Sequence, residues 1–214
     1  MYKVSKYEKK LTGLYVITDK KLIKRDKFVE TVEKSIKGGA RIVQLREKDT
    51  SHDEILHLGL ELLKLTKRYK VPLIINDSAE LAKEIGADGV HLGGDDTSIK
   101  NARAILGQQA IIGVSCYNQI ERGLHALQSG ADYVAFGTLY YTPTKPQREP
   151  TSIEVLKEAV KVITGIPIFA IGGITKENAP PILETGVDGI AVITSVFGSD
   201  DPETAARELA ALSS

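Results

Sequence analysis

Gly130-Ala-Asp-Tyr-Val-Ala-Phe-Gly-Thr-Leu-Tyr-Tyr-Thr-Pro-Thr-Lys-Pro-Gln147 joins a turn, a strand and a polar loop. Gly130 stands where the C′ residue of a helix belongs, so Gly130-Ala-Asp132 reads as a helix-to-strand turn. Tyr133 to Phe136 is then a short buried strand. The chain opens at Gly137 into a loop carrying Thr142, Thr144 and Lys145. Hydroxyls donate hydrogen bonds to phosphate oxygens, and a lysine supplies a point charge. Pro143 and Pro146 stiffen the loop, which lowers the entropy lost on ordering it around an anion. The competing reading is a surface loop of ordinary turn residues. Its length and position make Thr138 to Gln147 a candidate lid.

The same turn recurs as Gly86-Ala-Asp88 and Gly186-Val-Asp188, again ahead of apolar runs. Strands are expected at 13–18, 41–46, 71–75, 88–92, 110–114, 133–136, 166–171 and 189–193. Helical spacing fills the gaps at 28–36, 51–69, 78–85, 98–106, 119–129, 153–163, 176–184 and 202–212. Ser51 with Glu54 forms a capping box at the start of the longest helix. The strands are continuous apolar runs, as expected where both sheet faces are covered. Eight strand–helix units predict an α/β fold, a single (β/α)8 TIM barrel over residues 13–214. Residues 1–12 read as an N-terminal extension, in which Tyr2 to Lys10 is either frayed or a short leading helix.

Bulk properties narrow the function. A chain of 214 residues buries enough surface to need no disulfide or metal staple. Its single cysteine, Cys116, fits a reducing compartment. Basic and acidic residues balance at 28 each, which gives no support for nucleic-acid or membrane partners. No apolar run approaches the ~20 residues that span a bilayer, and Met1 to Lys10 is too polar for a signal peptide. These features predict a cytoplasmic protein with small-molecule partners. A homo-oligomer is left open.

In such barrels the chemistry sits at the C-terminal strand ends. Gln44, Arg46 and Lys48 alternate after the second strand and would share one face, suited to a polyanion. The plainer reading is a strand end with solvated charges. Asp77 and Asp96 offer hard oxygens from neighbouring strand ends, suited to magnesium shared with phosphate oxygens and water. Each aspartate could instead cap the helix that follows it. Gly172-Gly173 after the seventh strand, with Thr194 and Ser195 after the eighth, fits the common phosphate site of these barrels. A tight turn is the plainer account of the glycine pair. His91 reads as a polar residue at a strand end rather than a ligand. Cys116 has no nearby histidine and is not a nucleophile.

Taken together, these segments resemble thiamine phosphate synthase from Gly13 to Leu212. The matching stretches are Leu14-Tyr-Val-Ile-Thr-Asp19, Val43-Gln-Leu-Arg-Glu-Lys48, Leu73-Ile-Ile-Asn-Asp77, Gly86-Ala-Asp-Gly-Val-His-Leu-Gly93, Gly113-Val-Ser115, Thr142-Pro-Thr-Lys145 and Ala170-Ile-Gly-Gly-Ile174. The resemblance implies joining of hydroxymethylpyrimidine pyrophosphate to a thiazole phosphate, plain or carboxylated, with release of pyrophosphate. It implies that Gln44, Arg46, Lys48 and Asn76 hold the pyrimidine pyrophosphate and that Asp77 and Asp96 bind Mg2+. Ser115 and Lys145 would meet the pyrophosphate or the reacting centre, with Lys48, Ser115 and Lys145 as the catalytic set. Thr142, Thr144, Gly173, Ile193 and Thr194 would hold the thiazole phosphate. The sequence departs from the usual pattern at Gly94, Cys116 and Thr194, and near Thr138 and Tyr141. Rival readings are a thiazole tautomerase-like barrel and a non-catalytic phosphometabolite sensor. A phosphosugar isomerase fits less well, because no acidic base pairs with an electrophile.

Overall fold

The computed structural model describes residues 11–94, 96–141 and 150–213. The first ten residues of the expected extension therefore lie outside the described residues. Eight parallel strands close in sequence order, β1 pairing with both β2 and β8. They are β1 Gly13–Ile17, β2 Ile42–Leu45, β3 Leu73–Asn76, β4 Gly89–Leu92, β5 Ile111–Tyr117, β6 Tyr133–Phe136, β7 Ile168–Ile171 and β8 Gly189–Val192. Around them run α1 Phe28–Lys37, α2 His52–Tyr69, α3 Ala79–Ile85, α4 Ile99–Leu106, α5 Ile120–Gln128, α6 Ile153–Val162, α7 Ala179–Leu183, α8 Thr194–Phe197 and α9 Pro202–Leu212. The expected (β/α)8 barrel is the observed one.

Side chains alternate across the strands and so build two cores. Leu14, Val16, Val43, Leu45, Leu73 and Ile75 point outward into the layer between barrel and helices. Tyr15, Ile17, Ile42, Ile74, Tyr133 and Phe169 fill the interior. Tyr15, Tyr133 and Phe169 meet edge to face, with ring centroids 5.5 to 5.9 Å apart. Gly113 makes room for this cluster, since a Cβ there would run into the Tyr133 ring.

The recurring tripeptide has a second use beyond its glycine. Gly86, Gly130 and Gly186 adopt φ of 75°, 86° and 89°, as the turn demands. The aspartate then accepts from a backbone amide of the neighbouring strand, the one immediately before its own in the barrel. Asp88 Oδ2 takes Leu73 N at 2.9 Å, Asp132 Oδ2 takes Ile112 N at 2.8 Å and Asp188 Oδ2 takes Ile168 N at 2.8 Å. Each also donates its own N–H back to the same residue's carbonyl. The repeat thus staples strand starts together at the bottom of the barrel.

Three elements differ from expectation. β5 runs on to Tyr117, so Ser115 and Cys116 belong to the strand, with an irregularity between Ser115 and Tyr117. α7 is shortened to five residues, because Pro180 and Pro181 lack the N–H groups a longer helix needs. α8 forms directly after β8, in a stretch to which no helix was assigned from the sequence.

Candidate active site

A cavity of about 400 Å³ opens at the C-terminal ends of the strands. Gln44, Arg46, Lys48, Asn76, Asp77, Ser115, Gly173, Ile193 and Thr194 all line it. The barrel thus brings together residues spread over 150 positions of sequence, from Gln44 to Thr194. Thr142, Thr144 and Lys145 lie outside the described residues, as does most of the candidate lid. A second cavity of about 350 Å³ adjoins the first and shares Arg46, Lys48 and Thr194 with it.

Thr18 organises the loop after β2. Its Oγ1 accepts from Arg46 N at 3.0 Å and donates to Glu47 Oε1 at 3.1 Å. Glu47 is thereby turned inward, where Arg25 Nη1 also reaches its Oε2 at 3.3 Å. Burial pushes the Glu47 carboxyl above its usual range, and the Thr18 bond and the Arg25 charge pull it back. With Glu47 facing the wall, Arg46 and Lys48 face the mouth. Arg46 Nη1 lies 3.5 Å from Asp19 Oδ2, and Lys48 Nζ lies 3.7 Å from Asp77 Oδ2.

The aspartates are not the helix caps. Ser78 Oγ accepts from Leu81 N at 3.1 Å and caps α3, while Ser98 Oγ accepts from Asn101 N at 3.2 Å and caps α4. Asp77 instead occupies the left-handed region at φ 66°, which Asp and Asn tolerate better than other side chains. Asp96 Oδ2 accepts from Gly93 N at 2.5 Å. Burial, and then the charge and hydrogen bonding of Asp96, push the Asp77 carboxyl above the usual range; Lys48 acts in the other direction. Two carboxylates held this close favour either a shared proton or a cation between them. The donor set is compatible with magnesium: hard oxygens from two carboxylates, leaving positions for phosphate oxygens and water.

The glycine pair has a packing reason. Gly172 and Gly173 have φ of 109° and 63°. The chain leaving β6 docks on them, with Leu139 N donating to Ile171 O at 3.1 Å and Tyr140 N to Gly172 O at 3.0 Å. A Cβ on Gly172 would sit 2.6 Å from Thr138 Cα, and one on Gly173 would sit 2.6 Å from Tyr141 O. Close approach of this segment therefore calls for glycine at both positions, whatever the pair also binds. Gly173 still lines the cavity, beside Thr194.

Four residues at the site were not singled out from the sequence. Tyr117 lines the cavity, and its hydroxyl accepts from Gly94 N at 2.8 Å. Arg122 of α5 donates to Ser115 O at 2.7 Å and to Gly93 O at 2.9 Å, with its guanidinium 5.2 Å from the Tyr117 ring. It ties the end of β5 to the loop that presents Asp96. Tyr15 and Tyr133 lie beneath the cavity and bond to each other at 2.9 Å. Alternation along the strands was the available signal for the tyrosines; nothing local marks Arg122. Cys116 points into the outer core, and burial pushes its thiol up to about 12, in keeping with the absence of a nucleophilic role. The departure at Cys116 is therefore outside the cavity wall.

A closed barrel with a charged cavity at its carboxyl-end mouth defines an enzyme of the (β/α)8 class. The family model described as "Thiamine monophosphate synthase" matches residues 14–196. A thiamine-phosphate synthase of Marinobacter nauticus is 45% identical over 195 residues, covering 91% of this chain and 87% of that protein. One from Nitrosococcus oceani is 47% identical over 196 residues, 92% of this chain and 90% of that protein. Among solved structures, a thiamine phosphate pyrophosphorylase from Pyrococcus furiosus superposes with a TM-score of 0.86 at 38% identity, covering 94% and 95% of the two chains. The chain belongs to the thiamine monophosphate synthase family and is a transferase. No helix among the described residues is long and apolar enough to cross a membrane.

Proposed function

We propose that this chain condenses 4-amino-2-methyl-5-hydroxymethylpyrimidine pyrophosphate with the phosphate ester of a hydroxyethylthiazole, giving thiamine phosphate and pyrophosphate. The observation that carries the reading is the pair Asp77 and Asp96. Serines relieve both of helix capping, their carboxylates face each other, and Lys48 stands beside them. Such an arrangement suits a pyrophosphate far better than a neutral ligand.

The chain's own residues supply binding and charge. Arg46 and Lys48 would hold the pyrophosphate, with Lys145 joining them by resemblance. Asp77 and Asp96 would hold magnesium, which when bound neutralises charge on the departing pyrophosphate. The bond from the pyrimidine methylene carbon to oxygen breaks, and its electron pair leaves with pyrophosphate. The aminopyrimidine ring delocalises the resulting cation. The thiazole nitrogen then donates its lone pair to the methylene carbon. That nitrogen carries no proton to be removed, so no protein base is required. Thr142, Thr144, Gly173, Ile193 and Thr194 would orient the thiazole through its phosphate, raising the effective concentration of the nucleophile.

The test is pyrophosphate release from both substrates with magnesium, with EDTA and single-substrate controls. Release that needs both substrates and the metal, with thiamine phosphate formed in step, is the expected result. No release despite binding of the thiazole phosphate would overturn the reading.

A further inference from the structure

Beneath the cavity, five side chains from five strands form one hydrogen-bonded chain. Gln44 Nε2 meets the Tyr15 hydroxyl at 2.6 Å, and Tyr15 meets the Tyr133 hydroxyl at 2.9 Å. Tyr133 meets His91 Nδ1 at 2.9 Å, and His91 Nε2 meets Ser115 Oγ at 2.9 Å. Tyr15 and Tyr133 are buried, and the His91 ring stacks on Tyr133 at 5.5 Å. Both ends of the chain, Gln44 and Ser115, line the cavity.

The direction of the chain follows from counting hydrogens. The Gln44 amide nitrogen can only donate, so Tyr15 accepts from it. The one Tyr15 hydrogen then goes to Tyr133, and the one Tyr133 hydrogen goes to His91 Nδ1. His91 Nδ1 therefore carries no proton. Its Nε2 carries the proton and donates to Ser115. An imidazolium would donate from both nitrogens and turn the Tyr133 hydrogen back toward Tyr15. Tyr15 would then accept twice, leaving its own hydrogen without an acceptor in this chain of bonds. Burial pushes both phenols above their usual range, so they keep the hydrogens that this order requires.

We infer that Gln44, Tyr15, Tyr133 and His91 form a one-directional relay that fixes the Nε2–H tautomer of His91 and makes Ser115 a hydrogen-bond donor to the ligand. Tyr15, Tyr133 and His91 are positioning residues, acting through Ser115. The relay selects for an acceptor atom, such as an anionic oxygen or an unprotonated ring nitrogen, at the Ser115 position. Its part in turnover rests on the function proposed above; its geometry does not. Turning the Gln44 amide over would reverse every donor and leave Ser115 an acceptor toward the ligand, so the tautomer of His91 reports the direction.

The experiment is long-range proton–nitrogen NMR on full-length protein labelled with ¹⁵N-histidine. The His91 signals are assigned by their loss in His91→Gln. A protonated Nε2 and bare Nδ1 are expected; a protonated Nδ1 or an imidazolium overturns the relay. Tyr133→Phe removes the donor to Nδ1. It should shift the His91 pattern toward mixed tautomers and lower kcat/KM by roughly 3- to 10-fold, the worth of one neutral hydrogen bond. In a Ser115→Ala background the same change should cost nothing further, because the effect passes through Ser115. Full additivity, or a His91 spectrum unmoved by Tyr133→Phe, would also sink the inference. If the wild type releases no pyrophosphate, the proposed function fails while the spectrum still decides the relay.

Discussion

Asp77→Asn separates the charge of the site from its scaffold. The fold should hardly notice it. Ser78, not Asp77, caps α3, so the helix start is untouched. Asparagine tolerates the φ of 66° as aspartate does. The pair lost with Lys48 is 3.7 Å long between side chains 57% and 40% exposed. Solvent screening limits such a pair to about 0–1 kcal/mol. Removing the like charge facing Asp96 offsets part of that. The net change in stability should stay within about 1 kcal/mol, a Tm shift of a few degrees for a domain of this size. Turnover should fall much further. Losing one stabiliser of transition-state charge costs about 3–4 kcal/mol, or roughly 100- to 1000-fold. The assay is pyrophosphate release across a magnesium titration, with the melting temperature measured in parallel. The expected variant melts near wild type, needs more magnesium and turns over at least ~100-fold more slowly. Turnover within about threefold of wild type, at an unchanged magnesium midpoint, would refute the role given to Asp77.

Lys48→Ala removes the cation beside that carboxylate and should likewise lower kcat/KM by roughly 100-fold or more, with little change in melting. Glu47→Gln tests the wall of the same loop. Burial raises the Glu47 carboxyl above its ordinary 4.5, so the folded protein holds the proton more tightly than the unfolded chain. The stability gained is full below about 4.5 and lost as pH rises through the raised value. The melting temperature of wild type should therefore rise relative to Glu47→Gln as pH falls from about 7 toward 4.5; a fall would show that the Arg25 and Thr18 contacts outweigh burial. Gly172→Ala forces a Cβ to within 2.6 Å of Thr138 Cα at a φ of 109°. It should cost about 1–3 kcal/mol, seen as a lower urea midpoint at unchanged slope.

The barrel was legible because its punctuation repeats. Gly86, Gly130 and Gly186 each announced a strand, and each strand stood where the tripeptide placed it. What the apolar runs concealed was the face of each residue. Val90-His-Leu92 reads as one hydrophobic stretch, yet alternation sends His91 inside and its neighbours outside. Tyr15 and Tyr133 were hidden in the same way. The capping question at Asp77 and Asp96 could not be answered from sequence, because Ser78 and Ser98 stand within two residues and the winner depends on backbone direction. Gly172-Gly173 was read for a ligand, and the structure adds a second demand on the same pair, a backbone neighbour contributed by a loop more than thirty residues earlier. Arg122 was invisible for a related reason: its partners lie on β5 and on the β4 loop.

These observations divide the labour within the molecule. The layer between barrel and helices is apolar and contiguous, and it carries the burial that holds the fold. The interior can therefore tolerate polar side chains, provided each finds a partner. Among the described residues every buried side-chain nitrogen and oxygen does. The hydrogen-bonded chain from Gln44 to Ser115 is a consequence of that requirement as much as of function. A tyrosine in a barrel interior must place its hydroxyl somewhere, and each hydroxyl here is placed against polar groups from other strands, mostly across the barrel interior. The polar groups thus propagate upward until they reach the one place where a hydrogen need not be satisfied by protein: the cavity at the mouth. Satisfying the interior and orienting Ser115 toward a ligand are, in this barrel, the same arrangement of bonds.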